Sequence, residues 1–241
     1  MTIDSPPIEE HENRYTQVVE GIMVRAIAAP FPIWIVAACG KLGPAIVNTL
    51  SDAERERARR FRFEADRNRY IAAHGALRIL GERTFGIPAG RQRYSANAYG
   101  KPKLLEHPDL HCSISYSANL SIVGWSHGGA IGLDMEVLRP IPDACSLMRH
   151  YFAPEESAAL AEIPSDTPRF HASFLSVWVR KEACLKAVGR GLQIDPASFE
   201  CGASMKRLSL EVEGTLVDSE VYKLENALIS WAIKIPKVIY L

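Results

Sequence analysis

At 241 residues, with 28 Lys plus Arg against 28 Asp plus Glu, the chain can bury a full core but carries no global field to draw it to nucleic acid or a membrane surface. Hydrophobic content of 47% and charged content of 23% suit a globular protein of one large domain or two small ones and exclude a disordered one. The five cysteines, Cys39, Cys112, Cys145, Cys184 and Cys201, are odd in number and scattered, without a C-x-x-C pair for zinc or redox chemistry, which fits a reduced, cytoplasmic setting.

Residues 1–20 read as a polar leader, unlike the basic-then-apolar start of a signal peptide. The most apolar run, 22–39, is interrupted by Arg25, Pro30 and Pro32, so it falls short of the roughly twenty residues a bilayer span needs. Within it, Ile33–Ala38 is predicted to be a buried strand. Ser51 and Glu54 are spaced as a capping box, opening a basic helix with Arg55, Arg57, Arg59, Arg60 and Arg62. After a break at residues 64–66, a second helix is predicted over 67–85, with Tyr70, Ile71, His74, Leu77 and Leu80 at helical spacing. The arginines admit two readings: a solvated face tied to nearby acids, or a phosphate cradle gripped bidentately.

From Tyr99 the pattern changes to short β-like runs. Gly100-Lys101-Pro102 forms a turn, followed by predicted strands at 111–115, 121–126 and 130–138, the last two joined by a hairpin at His127-Gly-Gly129. The seam between two lobes is placed at this hairpin, giving an N-terminal lobe over 21–128 and a C-terminal lobe over 129–241. After it, Pro154 starts a helix and a longer helix follows, bounded by Thr167-Pro168 and Gly189.

Strand alternation puts Leu133, Met135 and Val137 on one face and Gly132, Asp134 and Glu136 on the other. Two carboxylates on one face repel and raise each other's pKa unless a cation sits between them, as a hard divalent ion would; a plain solvent face is the other reading. Gly132 would leave room for a ligand backbone or phosphate. On the long helix, Phe174, Val177, Trp178, Leu185 and Val188 make an apolar stripe with Lys181 in its middle. A buried ammonium needs a partner, so Lys181 either snorkels out or borders negative charge. Glu182 and Lys186, one turn apart, read alone as a surface pair.

Taken together these residues resemble the 4′-phosphopantetheinyl transferases of the longer, monomeric type that modify peptide- and polyketide-synthase carrier domains. The resemblance rests on Gly132-Leu-Asp134-Met-Glu136, on Trp178-Val-Arg-Lys181-Glu182-Ala-Cys-Leu-Lys186, on Gly100-Lys101-Pro102, and on Arg59-Arg60-Phe61 followed by Asp66, over about residues 51–200. It implies an α+β fold of two similar lobes related by a pseudo-twofold axis, each a small antiparallel sheet packed with helices, with coenzyme A as co-substrate in the cleft between them. It implies that Asp134, Glu136 and Glu182 hold Mg²⁺, with Mn²⁺ able to substitute. The serine hydroxyl of an apo acyl or peptidyl carrier protein would attack the β-phosphate, and adenosine 3′,5′-bisphosphate would leave. Glu182 would also be the general base, Lys186 would neutralise the bridging phosphates and Lys181 would assist; Trp178 would pack between the lobes.

Lys101 and Ser115 are expected at the adenine and ribose-phosphate end, and Arg57 and Arg69 at the 3′-phosphate. Where the family usually shows Asn-x-Ser-His-Ser, this chain has Ser113-Ile-Ser115-Tyr116-Ser117, and Tyr116 can donate a hydrogen bond but cannot become cationic. The expected partners are carrier domains and coenzyme A, with no nucleic acid and no membrane. A basic or apolar rim should receive the carrier; segment 139–152, with Leu147, Met148 and Arg149, is the candidate, buried core being its other reading. A non-catalytic module that binds coenzyme A or a carrier domain is the alternative function. Another Mg²⁺-dependent nucleotide enzyme is a weaker one, since no P-loop or G-x-G-x-x-G follows a strand.

Overall fold

The structure, a computed structural model, describes residues 15–203 and 205–236. Most of the expected leader, residues 1–14, lies outside them. The chain falls into two compact units, one comprising Met1–Arg93 with Asn119–Gly124 and the other Tyr94–Ala118 with Trp125–Leu241.

The first unit contains β1 (Thr16–Val19), β2 (Ile22–Ala26), β3 (Ile33–Ala38), α1 (Pro44–Thr49), α2 (Asp52–Arg59) and α3 (Glu64–Phe85). Its strands pair antiparallel in the order β1, β2, β3 and then residues 120–124, so the predicted strand Ile33–Ala38 lies between two neighbours. The capping box forms as predicted: Ser51 Oγ accepts from Glu54 N at 3.2 Å, and Glu54 Oε2 accepts from Ser51 N at 2.8 Å. Helix α3 begins three residues earlier than predicted, because Glu64 and Asp66 form its first turn, where negative charge suits the helix dipole.

The second unit contains β4 (Tyr94–Ala96), β5 (Pro102–Leu104), β6 (Leu110–Ser117), the end of β7 (Leu120–His127), β8 (Ile131–Val137), α4 (Ala144–Tyr151), α5 (Pro154–Ala161), α6 (Pro168–Val188), β9 (Arg207–Val212), β10 (Thr215–Lys223) and β11 (Ala227–Lys234). β4, β5 and β6 pair antiparallel, and a separate antiparallel sheet runs β8-β11-β10-β9. This is an α+β fold built on antiparallel sheets. Helix α6 starts at the Thr167 cap, whose hydroxyl accepts from Phe170 N at 3.2 Å, and ends at Gly189 in the left-handed conformation, both ends as predicted. It lies across β8, β11 and β10. Among the described residues no helix is long and apolar enough to cross a membrane.

Candidate active site

The site is built where α6 crosses β8. Gly132 lies on the face of β8 that carries Asp134 and Glu136, and a Cβ there would fall 1.9 Å from Ala183 O and 2.5 Å from Ala187 N. The space the missing side chain leaves is filled by the α6 backbone, not by a ligand. Close approach at Gly132 is what brings the Glu182 and Lys186 turn of α6 over the carboxylates.

Asp134 is 5% exposed, and its Oδ1 accepts from Lys186 Nζ at 2.6 Å and from Ser115 Oγ at 2.7 Å. Lys186 Nζ also donates to Ser115 Oγ at 3.0 Å and to Leu133 O at 3.1 Å. The ammonium is therefore bonded into the strand, where the helix spacing alone would have paired it with Glu182. Glu136 Oε2 accepts from Ser117 Oγ at 2.7 Å and from Arg139 Nη1 at 2.6 Å. Burial pushes the Asp134 carboxyl above its ordinary range, against the pull of Lys186 and Ser115. Burial also raises Glu182, with Asp134 and Glu136 adding to the rise and Lys186 opposing it. These carboxylates thus sense one another.

Three serines of β6 face β8. Ser113 Oγ accepts from Leu133 N at 3.0 Å, Ser115 holds Asp134, and Ser117, besides holding Glu136, accepts from Val137 N at 2.9 Å. β8 is the edge strand of its sheet, so two of its outward backbone donors are satisfied by side chains. The sequence signal for this was the period-2 spacing of Ser113, Ser115 and Ser117, which read as a binding motif and not as a ladder. Tyr116 alternates to the other face and is 37% exposed.

Lys101, expected at the coenzyme, donates from Nζ to Lys186 O at 2.7 Å and Ala187 O at 3.3 Å, capping the last carbonyls of α6. Burial lowers its pKa to about 8. Asn97 Nδ2 donates to Gly189 O at 3.0 Å, so the 97–103 turn holds the end of α6 from one side.

Lys181 is not brought to the carboxylates of β8. It is 1% exposed, with Nζ 2.8 Å from Glu156 Oε2 of α5 and donating to Pro196 O at 2.8 Å and Phe199 O at 2.7 Å. The ammonium in the apolar stripe has a buried partner of its own. Trp178 packs on Tyr151 and Phe174, with ring centroids 5.8 and 6.2 Å apart. Leu147 and Met148 join the same core cluster. Arg57 and Arg69 belong to the first unit, the former 5.7 Å from the Tyr70 ring centroid and the latter 2.7 Å from Asp66. Among the described residues no group of three His, Cys, Asp or Glu stands ready to hold a metal ion; Lys186 and Arg139 bind the two strand carboxylates instead.

Residues 130–226, which include Asp134, Glu136, Glu182 and Lys186, match the family model of the 4′-phosphopantetheinyl transferase superfamily. The 4′-phosphopantetheinyl transferase HetI of Nostoc sp. is 33% identical over 182 residues, which are 74% of this chain and 70% of that protein. The 4′-phosphopantetheinyl transferase Sfp of Bacillus subtilis is 29% identical over 150 residues, 62% of this chain and 65% of that one. The L-aminoadipate-semialdehyde dehydrogenase-phosphopantetheinyl transferase of Rattus norvegicus is 25% identical over 188 residues, 73% of this chain and 58% of its own length.

Proposed function

Because the chain belongs to the 4′-phosphopantetheinyl transferase superfamily, we propose that it transfers the 4′-phosphopantetheine arm of coenzyme A to a serine hydroxyl of an apo carrier protein. Adenosine 3′,5′-bisphosphate is released. The observation that carries this reading is the Asp134, Glu136, Glu182 and Lys186 constellation where α6 crosses β8.

Phosphoryl transfer needs negative charge neutralised and a hydroxyl activated. The donor set suits Mg²⁺: bonds to Asp134 converge on Oδ1 and bonds to Glu136 on Oε2, leaving Oδ2 and Oε1 on the same strand face for an oxygen-seeking cation. Asp134, Glu136 and Glu182 would hold the ion, which when bound supplies positive charge to the pyrophosphate. Glu182, with its carboxyl raised by burial, is suited to take the serine proton, directly or through a water. Lys186 supplies a cation to the bridging phosphates and, between turnovers, occupies Asp134. Ser115 and Ser117 fix the carboxylates. Lys101 acts on Lys186 through the helix end, and Lys181 takes no part in the chemistry. Tyr116 is the exposed group of β6 left to meet the coenzyme.

The test is incubation with coenzyme A, Mg²⁺ and a panel of apo carrier proteins, read by intact mass. A phosphopantetheine mass gain on a carrier serine is expected; no gain on any carrier overturns the reading.

A further inference from the structure

Arg139 stands just past the end of β8, and its guanidinium is the second cation of the site. Its Nη1 donates to Glu136 Oε2 at 2.6 Å and to Val137 O at 3.1 Å. A half-exposed pair of this kind ordinarily contributes little, because two long side chains must be ordered to make it. Here the backbone does the ordering. On one side of Arg139, Leu138 N donates to Asn226 O at 2.8 Å; on the other, Ile141 N donates to His171 Nδ1 of α6 at 3.2 Å, with the fixed φ of Pro140 between. Ser117 Oγ donates to the same Glu136 oxygen, Oε2, at 2.7 Å. Both bonds fall on Oε2, so Arg139 leaves Oε1 clear and acts on the site through its charge.

That charge decides what the site can hold. Three carboxylates, Asp134, Glu136 and Glu182, face two cations, Lys186 at 2.6 Å from Asp134 and Arg139 at 2.6 Å from Glu136. Fully ionised, the group carries one net negative charge. A divalent ion alone would turn it positive beside a buried aspartate, where little water screens the excess. The same ion arriving with a doubly charged pyrophosphate would leave the balance unchanged. With Arg139 neutralised the group would carry two negative charges, and a divalent ion would balance it unaided. We propose that Arg139 lowers the affinity of the coenzyme-free site for a divalent ion, so that the ion binds with the pyrophosphate and not ahead of it. This assignment rests on the transferase reading above.

The test titrates Mn²⁺ into the coenzyme-free protein, with bound and free ion read by electron paramagnetic resonance, for the wild type, Arg139→Gln and Arg139→Lys. The side chain is half-exposed, so both variants should melt close to the wild type. Arg139→Gln is expected to bind Mn²⁺ at least about tenfold more tightly than the wild type, Arg139→Lys within about threefold of it, and the Arg139→Gln gain should shrink as NaCl is added. Equal Mn²⁺ affinity in Arg139→Gln and the wild type overturns the proposal by showing that the charge does not reach the site. Weaker binding by Arg139→Gln overturns it by making Arg139 a prop for Glu136. A gain of the same size in Arg139→Lys overturns it by removing charge as the cause. Transfer by the wild type, followed beside the titration by intact mass on a carrier, separates the two readings: transfer with any of those three results leaves the transferase reading standing alone.

Discussion

Gly132 and Ala183 meet backbone to backbone: a Cβ on Gly132 would stand 1.9 Å from the Ala183 carbonyl oxygen. Neither β8 nor α6 can give way without moving the site, since one carries Asp134 and Glu136 and the other Glu182 and Lys186. Gly132→Ala should cost about 3 kcal/mol in a urea melt and abolish transfer in whatever protein folds. A variant of wild-type stability would show that the helix does not need this approach.

Two lysines five residues apart should separate into two phenotypes. Lys186→Met removes the cation on Asp134 and should lower kcat by about a hundredfold or more, with a modest effect on folding. Lys181→Met leaves the Glu156 carboxylate buried without its ammonium and should cost about 3–5 kcal/mol of stability, the folded fraction staying active. Adding Glu156→Gln should recover much of that loss, because no charge is then left buried. Steady-state kinetics beside denaturant melts check both lysines, and a normal melt for Lys181→Met would remove its structural role.

Glu54 gives the first unit a defined acid sensitivity. Burial raises its pKa, but the His74 hydrogen bond, Arg78 and the Ser51 amide outweigh this and hold it at about 2, below the ordinary 4.5. A carboxylate depressed by folding contributes stability above its unfolded pKa and loses it as pH falls from about 4.5 toward 2. The contribution is on the order of 2 kcal/mol after allowing for partial solvent screening. Unfolding free energies across this window should fall in the wild type and stay flatter in Glu54→Gln.

Glu182 should behave in the opposite sense. Its pKa is raised by burial first and by Asp134 and Glu136 next, so its ionised form costs stability at neutral pH, and that cost is relieved as pH falls through the raised pKa. Without divalent ions, Glu182→Gln should melt more stable than the wild type at pH 7 and transfer nothing. Active Glu182→Gln protein would remove the carboxylate from the mechanism.

Chelation by EDTA should stop transfer, and Mg²⁺ or Mn²⁺ should restore it. Because protons compete for raised carboxylates, the half-saturating Mg²⁺ concentration should climb on acidification while the pH is still above the ordinary carboxylate range. Activity that survives chelation would exclude the ion.

What the sequence made legible was local. Thr167-Pro168 and Gly189 bounded α6 because capping is a matter of neighbouring residues, and period-2 alternation placed Asp134 beside Glu136 for the same reason. What it hid was contact at a distance. Glu156 lies 25 residues before Lys181 on another helix, and no spacing rule connects them. The partnership of Ser115 and Ser117 with the acids of β8 needed two strands laid side by side. Gly132 suggested room for a ligand because a glycine in a strand announces close approach without saying of what.

The serines of β6 also tie assembly to competence. A slip of one residue would turn Cys112, Ile114 and Tyr116 toward β8 in their place, leaving two acids and two backbone donors without the three serine hydroxyls that meet them. A misregistered chain would therefore lose the whole polar lattice at once. Strand alignment acts as a proofreading step, and a molecule that passes it already has its carboxylates aimed.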